Sequence, residues 1–93
     1  MSKMISLEQL THKWMGTLIQ ADDETLLNYA VARNIYELRK EREVIQSLLS
    51  KRSGVALRRI ELIEAGEASA KLSELTKIAA ALDARVEIRI VPK

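Results

Sequence analysis

Between Val44 and Ile60 the chain carries four bases, Lys51, Arg52, Arg58 and Arg59, and no acid. Clustered cations without a neutralising carboxylate suit a polyanionic partner, although a solvated helix face can look the same. The charge is unevenly spread. Residues 1–32 hold two bases and four acids, whereas residues 33–93 hold thirteen bases and nine acids.

Other chemistries lack their residues. His12 is the only histidine and there is no cysteine, so thiolate metal sites and disulfides are excluded. Asp22, Asp23 and Glu24 lack the alternating spacing and loop glycine of a calcium site, and helix capping is the better reading. Gly54 and Gly66 do not form a phosphate-cradling loop. No Ser/His/Asp or Cys/His set can be assembled, so the expectation is a non-enzyme with no cofactor and no metal. Trp14, the single tryptophan, is either a core residue or, with Leu10 and Leu18, a docking surface for another protein.

These side chains must be positioned by a small scaffold. Ninety-three residues make one domain, and with three aromatic residues and no Phe its core has to be aliphatic. A core this modest is marginal, which favours oligomerisation. No apolar run approaches the roughly 20 residues that cross a bilayer, and the N-terminus does not read as a secretory signal. A soluble, cytoplasmic protein without membrane contact is expected.

Breakers are few: one proline, Pro92, and three glycines. Helices are therefore the default. Leu7, Leu10, Trp14 and Leu18 recur at helical spacing and predict an N-terminal helix. Asp22-Asp23-Glu24 then opens a second, running from about Glu24 to Arg42, with Leu27, Val31, Ile35 and Leu38 as its apolar face. Leu48 and Leu49 belong to a short helix closed by Ser53-Gly54. Val55, Ile60 and Ile63 are the buried positions of the next, which Gly66 ends. Leu72, Leu75, Ile78, Ala79 and Leu82 define a last helix. The period then changes: residues 85–90 alternate polar and apolar, as a half-buried strand does. The expected fold is all-α, a five-helix bundle with a short C-terminal β-strand. An unpaired strand invites a second copy, so Val86, Ile88 and Ile90 are the expected dimerisation residues, with a partner protein or an ordered tail as alternatives.

Two short helices joined by a tight glycine turn are the skeleton of a helix-turn-helix, and Gln46 to Gly66 fits it. Gly54 takes the turn, Val55 fills the corner, and Ile60 and Ile63 pin the second helix beneath the first.

With these positions in place, Ile35–Leu82 resembles the DNA-binding domain of the Cro and lambda-repressor type. The resemblance is carried by Glu37-Leu38-Arg39, Gln46, Gly54-Val55, Ile60, Ile63-Glu64 and Gly66. It continues through Leu72, Leu75, Ile78-Ala79 and Ala81-Leu82. Extended through residues 85–92 it is similar, more narrowly, to the antitoxins of the HigA group. The segment Leu7–Met15 with Asp22–Glu24 is more loosely similar to the extension some of those carry. The chain departs from the pattern at the helix starts, where Ile45, Ala56 and Lys71 replace Ser or Thr, each at a cost on the order of 1 kcal/mol. Glu43 and Asp83 replace glycines at two helix ends.

The resemblance implies that Leu57 to about Ala65 is the recognition helix in the major groove. Leu57, Arg58 and Arg59 would reach bases first, and Glu61 and Leu62 one turn on. Gln46, Ser69 and Lys71 would bond phosphates. It also implies three regions: an N-terminal helical extension (1–23), the helix-turn-helix domain (24–83) and the C-terminal strand (84–93). The function it implies is an antitoxin and autorepressor. Such a protein is a homodimer on a double-stranded DNA operator that also neutralises a cognate RelE/HigB-like toxin. The acidic N-terminal segment, with Leu10, Trp14 and Leu18, is the candidate contact because its charge complements a basic partner. A stand-alone phage or plasmid repressor is the nearest alternative. A protein-interaction module that has lost DNA binding is an alternative of another class.

Overall fold

Asp22 opens the helix that follows it because its Oδ1 accepts the Thr25 N–H at 2.7 Å, satisfying one of the donors that every helix start leaves unpaired. The computed structural model describes residues 22–92. Four helices occur among them: α1 (Asp23–Glu41), α2 (Gln46–Ser53), α3 (Leu57–Glu64) and α4 (Leu72–Ala81). Helix α1 packs on α3, and α2 packs on both α3 and α4.

The core lies where these contacts meet. Leu49, Ile60, Ile63 and Ile78 are fully buried, joined by Ile35, Val44, Val55 and Leu82. Each such side chain stabilises the fold by roughly 1.5–3 kcal/mol through water exclusion. The positions expected to be buried around Gly54 are therefore buried. Helix α1 differs from expectation. Its buried residues are Ala32, Ile35 and Arg39, while Val31 and Leu38 only flank the core and Leu27 is 53% exposed. Only the C-terminal part of this 19-residue helix reaches the core. Leu72 likewise begins α4 at 63% exposure, outside the packed region.

The helices end by one device used three times. The Val44 N–H donates to Arg39 O, Glu67 N–H to Leu62 O and Ala84 N–H to Ala79 O. In each case the residue just before the donor turns left-handed, a Schellman arrangement that satisfies the last carbonyls. Those turning residues are Glu43 (φ 56°), Gly66 (φ 74°) and Asp83 (φ 55°). Only one of the three is a glycine. Arg42 ties the first and last of these ends together, donating from Nε to Leu82 O at 3.2 Å.

Two expectations need correction. The fold is all-helical, but four helices and no β-strand are found among the described residues, not five helices with a C-terminal strand. Residues 84–92 are irregular. Alternation predicts a strand only if a neighbour supplies the ladder of backbone hydrogen bonds, and no neighbouring strand exists among the described residues. Val86 is half-buried, whereas Ile88 and Ile90 are exposed, Ile90 to 97%. The expected N-terminal helix, with Leu10, Trp14 and Leu18, lies outside the described residues.

Candidate nucleic-acid interface

Gly54 sets the angle between α2 and α3. It adopts φ 76° and donates its N–H to Ser50 O at 2.9 Å. A β-carbon at Gly54 would meet nothing within 4 Å, so its requirement is conformational alone. Two serines brace the corner. Ser50 Oγ donates to Val55 O at 2.7 Å, and Val55 N–H donates to Ser53 Oγ at 3.1 Å. Val55 then fills the corner, and Ile60 and Ile63 bury the inner face of α3.

The outer face of α3 presents Leu57, Arg58 and Glu61, all exposed, with Leu62 half-buried beside them. The Arg58 side chain is 75% exposed, and its Nη1 lies 3.9 Å from Glu61 Oε1. Arg59 is arranged differently. Its Nε and Nη2 donate to the two oxygens of Glu74 at 2.8 and 2.7 Å, and Nη2 also reaches Ser69 O at 3.1 Å. One of the two adjacent arginines thus presents its fork outward, and the other turns it against α4.

Glu74 is shared. Its Oε1 also accepts the Lys71 N–H at 2.9 Å, so this carboxylate closes the start of α4, where Lys71 offers no side-chain acceptor. The Arg59 guanidinium, helped by the Lys71 N–H, holds the Glu74 carboxyl down to about 2. The carboxylate raises Arg59 in return.

The remaining expected contacts lie around this face. Gln46 is the first residue of α2 and half-buried, with no side-chain cap ahead of it at Ile45. Ser69 and Lys71 are exposed in the loop before α4, but the Ser69 hydroxyl donates to Glu24 Oε1 at 3.0 Å. Ala56 provides no cap for α3.

Sequence reasoning missed Glu74, and it missed the buried pair of Arg39 and Glu64 behind α3. The 15 and 25 residues separating the partners exceed any helical period, and a sequence full of charges offers many other pairings. Only the replacement of a capping Ser or Thr by Lys71, three residues before a glutamate, marked Glu74 as a helix-start residue.

A helix-turn-helix family model matches residues 35–88, more than half of the chain. The chain belongs to the helix-turn-helix family. The matched domain is that of DNA-binding transcriptional regulators of the Cro/C1 type, a family generally without enzymatic activity. No curated relative and no solved structure gives a significant match. The helix-turn-helix match begins inside α1 and ends beyond α4, so it takes in the whole turn and both flanking helices. No helix among the described residues is long and apolar enough to cross a membrane.

Proposed function

We propose that this chain is a dimeric transcriptional repressor that binds its own operator and serves as the antitoxin of a toxin–antitoxin pair. The observation that carries the DNA-binding part is the outward fork of Arg58 on the second helix of the motif. Arginine can donate two bonds to guanine O6 and N7, worth roughly 1–3 kcal/mol of discrimination. Gln46, Ser69 and Lys71 serve phosphates from the flanks, and Leu57 and Leu62 offer apolar contact. A dimer sets two such helices roughly 34–36 Å apart on a palindromic site. Val86, Ile88 and Ile90 supply apolar surface for that association.

The antitoxin role rests on the resemblance to the HigA group and on the acidic, Trp-bearing segment ahead of α1. Its charge complements a basic toxin, with Leu10, Trp14 and Leu18 as the contact. Co-expression with the neighbouring reading frame, followed by pull-down and gel shift on upstream DNA at two salt concentrations, tests both parts. The toxin co-purifies if the antitoxin reading is right, and deletion of residues 1–23 abolishes that capture while sparing the operator. A neighbouring frame that encodes no small basic protein leaves the stand-alone repressor.

A second reading, an interaction module that no longer binds DNA, is favoured by the uncapped starts of α2 and α3 and by the engagement of Arg59. DNA affinity that falls steeply with salt sinks it, because phosphate contacts release counterions.

A further inference from the structure

We infer that Arg58 and Glu61 together read a single G·C base pair, and that Glu74 keeps Arg59 out of the base-contacting set. The inference rests on the DNA-binding reading and specifies its code.

The two arginines are chemically identical and adjacent on α3, which points them about 100° apart, and their partners differ as well. Arg59 would have to surrender three hydrogen bonds of 2.7 to 3.1 Å to reach a base. It would also strip the Glu74 carboxylate of its counter-charge, leaving it only the Lys71 N–H on a face that would meet phosphates. Arg58 gives up only a 3.9 Å contact with Glu61. That distance is too long for a hydrogen bond, and exposed pairs of this kind hold only weakly.

Glu61 is the second half of the reader. It lies three residues after Arg58, on the same exposed face, with its side chain 44% exposed. In the major groove a G·C pair presents the guanine N7 and O6 acceptors, then the cytosine N4 donor. The last two lie about 3 Å apart across the pair's own hydrogen bond. Arg58 Nη1 and Glu61 Oε1 set a donor and an acceptor 3.9 Å apart, with signs complementary to that arrangement. An A·T pair reverses both signs: Arg58 would face the adenine N6 donor and Glu61 the thymine O4 acceptor. The carboxylate therefore rejects the wrong pair as well as accepting the right one.

Selection of binding sites from a random duplex library tests this with the full chain and three variants. Wild type enriches a G·C pair at one fixed position of each half-site. Arg58→Ala removes the donors and leaves the phosphate contacts, so it retains weaker binding and loses that preference by roughly 5- to 150-fold, the range of one bidentate pair. Glu61→Gln weakens the rejection of A·T there without abolishing it, since Arg58 still faces the adenine N6 donor. Glu74→Ala removes two of the three bonds that hold Arg59, leaving the one to Ser69 O, and adds a guanine preference at a neighbouring position. Helical circular dichroism of each variant separates lost reading from lost folding. With wild type alone, 7-deazaguanine at the selected position must weaken binding, because it removes the N7 acceptor and leaves O6.

A guanine preference that survives Arg58→Ala, an unaltered site for Glu61→Gln, or no added preference for folded Glu74→Ala overturns the inference and leaves DNA binding standing. A wild type that enriches no sequence removes the DNA-binding reading itself.

Discussion

Arg39 and Glu64 meet behind the second helix of the motif in a two-pronged ion pair. Nε and Nη2 of the arginine donate to the two carboxylate oxygens at 2.9 Å each, and Nη1 donates to Val44 O at 3.0 Å. The guanidinium therefore ties α1, which carries it, to the α1–α2 loop and to the last residue of α3. Both side chains are nearly buried. A pair in this position locates α3 more than it stabilises the fold, because removing both charges from water offsets most of their attraction.

Breaking that pair from one side is expected to be severe. Glu64→Ala leaves the arginine charge buried and costs roughly 3–5 kcal/mol, a large share of what a domain this small can hold. Replacing both partners by apolar residues, Arg39→Met with Glu64→Leu, should recover most of the loss. Urea unfolding of the three proteins measures it. A double variant no more stable than Glu64→Ala would show that the pair acts through more than its charges.

Glu43 and Asp83 hold left-handed conformations that cost a side-chain-bearing residue about 1–2 kcal/mol. Glycine removes that strain but restores roughly 0.5–1 kcal/mol of unfolded-chain entropy. Glu43→Gly should raise stability by about 0.5–1 kcal/mol. Asp83→Gly should gain less, since aspartate tolerates this region better. Both shifts appear as higher melting temperatures. A drop for Glu43→Gly contradicts the strain argument.

Gly54 and Gly66, the left-handed glycines among the described residues, should respond unequally to alanine. At Gly54 only the backbone objects, so Gly54→Ala costs about 1–2 kcal/mol. At Gly66 the new β-carbon would lie 2.8 Å from Tyr29 Cε1 and 2.9 Å from Cδ1, so the ring of α1 must move as well. Gly66→Ala should be the more damaging, and in a Tyr29→Ala background its cost should fall to that of Gly54→Ala. Equal costs at both glycines in the native background rule out the ring contact as a constraint.

Acid should loosen the grip on Arg59. The Glu74 carboxyl is held down to about 2 from its ordinary 4.5, chiefly by the Arg59 hydrogen bonds. A depressed acid stabilises the fold fully above the unfolded value, and that contribution disappears as pH falls from about 4.5 through 2. Allowing for solvent screening of a pair that reaches the surface, the loss is on the order of 1 kcal/mol. Glu74→Gln removes this part of the acid sensitivity. Stability curves of the two proteins that remain parallel below pH 4.5 contradict the assignment.

Local chemistry settled much of this protein in advance. The apolar spacing of Leu49, Val55, Ile60 and Ile63 and the single glycine between them specified a bent helix pair, because a short buried stripe and a left-handed turn leave little else. Asp22 and its neighbours marked the start of α1 for the same reason: a cap acts within three residues. Tertiary structure decided what depends on distant partners. It turned Arg59 inward to Glu74 while leaving its neighbour outward, set Arg39 against Glu64, and left Leu27 and Leu72 beyond the core. It also denied residues 84–92 a strand, since alternation describes one face of a ribbon and says nothing about whether a second ribbon lies beside it. Pairings across 15 or 25 residues follow from how helices dock, and no helical period encodes them.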